Sequence, residues 1–346
     1  MNQISQKLKK IIDHYSQFVI SSHQNVDGDG LGSALSLHFL LQSQGKKSTV
    51  VYDGNIPYFY QFLPGIDEIS SWEDFSRNLD AFPQTVFWVL DCSNPARLGG
   101  VERLLPNCSL VVNLDHHPDN SHFGDINLVC PQIPASSLLV YQLIKDLEVA
   151  LNREMATNIL TGIITDTGGF QFFELDQKLI GIIDELVGAG ASMSTIMRHA
   201  FHYRSVQALK LLGRALENLW FDSQLKYTII HLSQEDFLAC QAKEEDAEGI
   251  VDYGLFIPGA EITVFFKEVK PKNFKVSLRS RGKINVLPVA HQFGGGGHLK
   301  AAGFKISGSY PEVNKKVIAF LKEFLAHPQD DKETLEEDAR RSIESL

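Results

Sequence analysis

The chain has little cysteine, little basic charge and no long apolar run. Its four cysteines, Cys92, Cys108, Cys130 and Cys240, form no CxxC pair, which argues against a disulfide framework. They read as reduced, mostly buried thiols of a cytosolic protein. Lysine and arginine number 32 against 42 aspartates and glutamates, a net charge of −10. That balance argues against a broad electrostatic footprint for long nucleic acid. It leaves room for a small phosphorylated substrate, because bound metal ions reverse the local field. The stretch His327 to Leu346 alone supplies −4 of the total. No run of about 18 apolar residues occurs, so no membrane span is expected. Met1 to Tyr15 is mixed polar and lacks the apolar centre of a signal peptide. No internal repeat is visible, and no GxGxxG order precedes the first helix.

What is present is a change of pattern along 346 residues, a length that fits one large domain or two ordinary ones. Up to about Leu186, strand-like and helix-like segments alternate. Phe18-Val19-Ile20, Ser48 to Asp53, Gln84 to Asp91 and Ser109 to Asp115 read as strands; Ala34 to Leu41, Ala135 to Leu147, Glu154 to Thr165 and Asp176 to Val187 read as helices. Continuous apolar strands between helices predict an α/β unit, a mostly parallel sheet flanked by helices. Ser192 to Phe221 stays helical and reads as a connector. Beyond it, Leu225 to Leu232, a hairpin of Glu261–Val269 and Asn273–Arg281, a helix over Asn285–Phe293, a strand over Ala301–Ser307 and a helix over Pro311–Ala326 predict a smaller α+β domain. The expected boundaries are 1–190, 191–223 for the helical connector, 224–327, and an acidic tail over 328–346.

Chemistry concentrates where the first-half apolar runs end. The stretch Ser21 to Ser33 carries His23, Asp27 and Asp29 between a strand and a helix, where open α/β sheets bind ligands. Its Gly28, Gly30 and Gly32 read as residues that let the backbone turn tightly near a ligand. Asp91 ends a later strand, Asp115-His116-His117 the next, and Asp166 ends a helical segment. Each cluster should lie on one edge of one sheet. Carboxylates crowded there repel one another and are pushed to protonate. Two divalent cations relieve this, and mixed imidazole and carboxylate donors suit manganese, iron, cobalt or zinc better than magnesium alone.

These four clusters, in this order, resemble the motifs of the DHH phosphoesterase family, named for the triplet seen here as Asp115-His116-His117. In the second half, Phe293-Gly294-Gly295-Gly296-Gly297-His298 resembles the GGGH signature of the DHH-associated C-terminal domain, and Ser277-Leu278-Arg279-Ser280 its substrate-binding arginine strand. Together they cover nearly the whole chain except the last twenty residues. The resemblance implies one metal on His23, Asp27 and Asp91, and a second on Asp29, Asp91, His116 and Asp166. It makes Asp115 the residue that orients a neighbouring imidazole, and His117 the one that faces the phosphate. Arg279, Gly295, Gly296, Gly297 and His298 would bind substrate. Val26 departs from the proline that relatives often carry before the aspartate, a change in loop stiffness only.

By that likeness the expected activity is hydrolysis of a phosphoester by metal-activated water, with Mn2+ as the cation and Mg2+ or Co2+ as substitutes. The two-domain pattern resembles the stand-alone nanoRNases, which degrade very short RNAs and often remove the 3′-phosphate of adenosine 3′,5′-bisphosphate. Expected partners are short single-stranded oligonucleotides or nucleotide phosphates, with no membrane and no long duplex; a homodimer is open. The competing expectations are a cyclic di-AMP or pApA phosphodiesterase, an inorganic pyrophosphatase or exopolyphosphatase, and a non-catalytic nucleotide sensor. Arg97, six residues after Asp91, reads equally as a substrate contact or a surface arginine.

Overall fold

The strand Thr85–Leu90 is buried along its whole length, and a strand without a polar face must be covered on both sides. The computed structural model, which describes residues 3–77, 84–171, 173–282 and 284–326, meets that need with helices. The chain divides into two compact units, Met1–Tyr203 and Arg204–Leu346. The acidic tail 328–346 lies outside the described residues.

The first unit holds strands β1 (Gln17–Ser21), β2 (Lys47–Tyr52), β3 (Ser70–Ser71), β4 (Thr85–Leu90), β5 (Leu110–Asp115) and β6 (Ile126–Val129). They form one sheet in the order β3-β2-β1-β4-β5-β6, and every pairing is parallel. Its helices are α1 (Gln3–His14), α2 (Gly28–Ser43), α3 (Trp72–Phe75), α4 (Ser137–Asp146), α5 (Arg153–Asp166), α6 (Gln177–Gly188) and α7 (Met193–Met197). The two-residue period of a strand splits the core in two. Phe18, Ile20, Trp88 and Leu114 pack with α2, α4 and α5, while Val19, Phe87 and Val89 face Leu98, Val101 and Leu104. The chain winds outward from β1 in both directions, so the strand order reverses between β1 and β4. A crevice opens at such a reversal, at the carboxyl ends of the strands.

The glycines of the opening stretch have a different use from the one expected. Gly28, Gly30 and Gly32 lie within α2. A Cβ on Gly32 would collide with the Asn158 carbonyl oxygen, and one on Gly28 with the Thr165 side chain. Gly28 and Gly32 let α2 and α5 approach closely, and Gly30 makes room for Ser22 and Val26, so the need is packing and not a turn. The N-terminal stretch read only as mixed polar forms α1, whose Leu8, Ile11 and Ile12 are buried.

The expected connector is shared out. Met193 to Tyr203 falls in the first unit and α8 (Val206–Glu217) in the second. The second unit adds β7 (Trp220–Asp222), β8 (Tyr227–Leu232), α9 (Gln234–Cys240), β9 (Ile262–Lys270), β10 (Asn273–Ser280), α10 (Leu287–Gln292), β11 (Gly296–His298), β12 (Ala301–Ser307) and α11 (Tyr310–Ala326). Its sheet runs β11-β12-β10-β9-β8-β7. Only β8 and β9 pair in parallel; the other pairs are antiparallel. Val276, Leu278, Ala302 and Phe304 turn one face toward Val289, Val317 and Leu321.

Candidate metal centre

Asp91 follows β4 at the strand-order reversal with φ +52°, a left-handed backbone that aspartate tolerates better than most residues. Its Oδ2 lies 3.4 Å from His23 Nε2, and its Oδ1 lies 3.5 Å from His116 Nε2. One buried carboxylate therefore touches two imidazoles, one after β1 and one after β5. On the first side, His23 Nε2 also lies 3.5 Å from Asp27 Oδ2. On the second, His116 Nε2 is 2.9 Å from Asp166 Oδ2 and 3.9 Å from Asp29 Oδ2. The sets His23, Asp27, Asp91 and Asp29, Asp91, His116 each offer donor atoms within 4.8 Å of one another, as do Asp91, Asp115 and His117.

Local structure holds each side chain. Asp27 caps α2, accepting from the amides of Asp29 and Gly30 at 3.1 and 3.0 Å, and keeps its side chain 47 % exposed toward the site. Asp29 is fully buried. Its carboxylate accepts from the amides of Ser136 and Ser137, at 2.5 and 3.0 Å, where α4 begins. Helix N-termini favour negative charge. Gly162 makes room for it, since a Cβ there would strike both Asp29 Oδ1 and Ser137 Oγ. Asp166, expected at the end of a helical segment, is the last residue of α5.

The two imidazoles of the triplet are oriented differently. His116 Nδ1 lies 3.1 Å from the Ile133 carbonyl oxygen, which can only accept, so Nδ1 carries a proton; against burial, the Asp166 and Asp91 carboxylates at Nε2 raise the ring well above its ordinary pKa, so Nε2 is protonated as well and donates to them. A carbonyl behind a ring nitrogen is the usual support of a metal-binding histidine. His117 Nδ1 lies 2.8 Å from Asp115 Oδ1. Asn120 donates to the other oxygen of Asp115 at 2.6 Å, which fixes the carboxylate in turn.

Protonation follows from these contacts. Burial opposes charge on His23, yet the Asp27 and Asp91 carboxylates lift its pKa to about 9. Burial also raises Asp29 well above the ordinary carboxylate range, and Asp91 and Asp166 push it further. Asp91 goes the other way: against its burial, hydrogen bonds from His116 and His23 hold it well below the usual value. Asp166 is raised by burial although His116 works against this. Four carboxylates thus share two imidazoles, and protons make up the deficit. Divalent cations would replace those protons, and the donor set fits them: imidazole lone pairs, carboxylate oxygens, and one carboxylate common to both sides.

Sequence reasoning left Arg97 undecided and did not pick out Asn120 or Ser136. Arg97 Nη1 lies 3.1 Å from His117 Nε2, and Ser136 Oγ donates to Asp91 Oδ1 at 3.2 Å. Arg97 carried a signal, a cation six residues past a buried aspartate. Ser136 carried none, because it acts from the start of a helix far along the chain.

In the second unit, Arg279 on β10 has Nε 3.3 Å from Asp252 Oδ1. The amides of Gly294 and Gly295 are engaged with the carbonyls of His291 and Ala290, at 3.0 and 2.9 Å. Of the glycine run, Gly296 and Gly297 with His298 form the edge strand β11.

The model of the DHH family N-terminal domain matches residues 17–163, and that of the DHHA1 domain matches residues 236–327. The chain is 32 % identical to the bifunctional oligoribonuclease and PAP phosphatase NrnA of Thermus thermophilus, across 88 % of this chain and 89 % of that one. To the Bacillus subtilis protein of the same description it is 24 % identical, across 87 % and 92 %. A crystal structure of an exopolyphosphatase-related protein from Bacteroides fragilis superposes with a TM-score of 0.85 at 28 % identity, covering 94 % of this chain and all of that one.

Proposed function

The chain belongs to the DHH family, and from that premise we propose that it hydrolyses short oligoribonucleotides to mononucleotides and removes the 3′-phosphate of adenosine 3′,5′-bisphosphate. Both activities are those by which the Thermus and Bacillus relatives are described. The observation that carries the reading is Asp91, in reach of His23 on one side and His116 on the other.

In this reading His23, Asp27 and Asp91 hold one divalent cation, and Asp29, Asp91, His116 and Asp166 the other, with manganese as the preferred ion. When bound, such a pair supplies a deprotonated water and neutralises charge on the phosphoryl oxygens. The chain's own residues do the rest. Asp115 holds the proton on His117 Nδ1 and so fixes the ring beside Arg97, where it faces the substrate phosphate. Arg97 offers its planar donors to a substrate phosphate. Arg279, His298 and the glycine edge strand bind the nucleotide.

No single helix among the described residues is long and apolar enough to cross a membrane. A cytoplasmic location is part of the reading, in keeping with four cysteines that carry no disulfide. A homodimer is too: Val206 and Leu209 on α8 are 65 % and 57 % exposed, an apolar stripe suited to a second copy.

The test is turnover of the purified protein with Mn2+ on a dinucleotide, longer oligomers, adenosine 3′,5′-bisphosphate, cyclic di-AMP and pyrophosphate. Release of mononucleotides from the short oligomers, with phosphate from the bisphosphate, is expected. Pyrophosphate as the sole substrate would overturn the proposal.

A further inference from the structure

In the sheet of the second unit, Thr228, Thr263 and Arg279 lie in one row. β8 pairs Thr228 with Thr263, and β10 places Arg279 opposite Thr263. Directly opposed residues share a face of the sheet. Both threonines are fully buried, and Thr228 Oγ1 donates to Thr263 Oγ1 at 2.9 Å. Over them runs a short 3-10 helix, Ile250–Phe256. Gly254 lets it come down onto the sheet, since a Cβ there would strike both threonine hydroxyls. Ile250 and Val251 anchor the same segment among Leu232, Phe237 and Phe265.

That close approach brings Asp252 to the side of Arg279. Asp252 Oδ1 lies 3.3 Å from Arg279 Nε, and Arg279 Nη1 donates to the Leu278 carbonyl at 3.2 Å. The guanidinium is thus gripped at Nε and Nη1, while Nη2 makes no hydrogen bond among the described residues. Its five N–H donors lie in one rigid plane, so holding two of them sets the direction of the rest.

The carboxylate is kept there at a cost. Its Oδ1 is shut off from solvent and makes no hydrogen bond among the described residues, so the nearby guanidinium charge is what compensates it. Burial lifts the Asp252 pKa above the ordinary carboxylate range; Arg279 opposes the rise and the Glu248 carboxylate adds to it. Replacing a shielded ion pair by apolar residues is often neutral or stabilising, so stability alone does not account for this one.

We propose that Asp252 is a positioning residue, which holds Arg279 with its Nη2 side presented to the phosphate of the bound nucleotide. The inference rests on the nucleotide-binding reading of Arg279 given above. Asp252 itself meets no part of the substrate. It orders a long, flexible side chain before the ligand arrives, and so removes that ordering from the cost of binding.

The test measures binding of AMP to the full-length protein by calorimetry, with turnover of a dinucleotide followed in parallel. Asp252→Ala should weaken AMP binding about 2- to 10-fold, the cost of ordering one rotamer-rich side chain. Asp252→Asn keeps a carbonyl oxygen for Nε and should stay within about twofold of wild type. Arg279→Ala should weaken binding about tenfold or more, and adding Asp252→Ala to it should bring no further loss, because nothing remains to be aimed. Matched melting curves check that each variant folds. An equal loss from Asp252→Ala in both backgrounds would overturn the proposal, since a purely structural role does not depend on Arg279. So would an asparagine variant as weak as the alanine one, or tighter binding without the carboxylate, which would make Asp252 a competitor of the phosphate. Wild type that binds no AMP, or Arg279→Ala that binds it undiminished, would overturn it by removing the nucleotide from Arg279. Should wild type and variants show the expected coupling while the dinucleotide stays intact, the positioning stands and the hydrolase reading fails.

Discussion

The guanidinium of Arg97 addresses the imidazole of His117, with Nη1 3.1 Å from Nε2. Arginine has no lone pair to offer, so Nε2 accepts and the ring proton sits on Nδ1, toward Asp115 2.8 Å away. Two groups of opposite charge therefore fix one tautomer, and on the proposed function a substrate phosphate competes with Nε2 for the arginine.

Arg97→Ala should lower turnover on a dinucleotide by about 10- to 100-fold, the equivalent of one charge-assisted hydrogen bond of ~1.5–3 kcal/mol. Arg97→Lys should recover part of it, since charge returns without the planar fork. Steady-state kinetics with a matched melting curve decides; full activity in the alanine variant would remove Arg97 from the site.

Asp91→Asn should abolish nearly all hydrolysis, a loss of at least about a hundredfold, because metal catalysis carries several kcal/mol of charge stabilisation. It should also reduce the metal bound per chain, measured by elemental analysis after desalting. Wild type treated with a chelator should lose activity and regain it with Mn2+. Asparagine is the right replacement here, since it tolerates the positive φ of this residue.

Two glycine substitutions should act with opposite sign. Gly162→Ala drives a methyl into Asp29 and Ser137 and should cost about 1–3 kcal/mol as overpacking, with weaker metal binding. Gly181→Ala, within α6 and with no heavy atom within 4 Å of the new methyl, should stabilise by about 0.5–1 kcal/mol. Denaturant midpoints read both.

His231 gives the second unit a pH dependence. Its ring stacks on Tyr310 with centroids 3.7 Å apart, and burial lowers its pKa from the ordinary 6.5. The folded state therefore binds the proton less readily than the unfolded chain does. The contribution is complete above about pH 6.5 and is lost as pH falls through the lower folded value. Denaturant midpoints between pH 7.5 and 5 should fall more steeply for wild type than for His231→Phe, which keeps the stack and cannot titrate. Parallel curves would refute this.

The sheet and the side chains that converge at its edge were legible because they obey local rules. β4 and β5 are unbroken apolar runs that end in Asp91 and Asp115, and such runs announce covered parallel strands. The glycines of α2 were misread because a glycine that permits a turn and one that admits a neighbouring helix look alike until the neighbour is known. The supports of the site, Ser136 and Asn120, were illegible for the same reason: they act through an amide or a carboxamide across distant sequence. α1 was passed over although Leu8, Ile11 and Ile12 fall on one helical face, because the polar residues between them broke up the apolar run.

The carboxylate of Asp166 is the last of the six proposed metal ligands to be synthesised, on a helix that also wedges against α2 through Gly32 and Gly162. A nascent chain that stops short of α5 lacks both this carboxylate and the buttress behind Asp29. The proposed metal site is therefore incomplete in a growing polypeptide until the first unit is nearly finished.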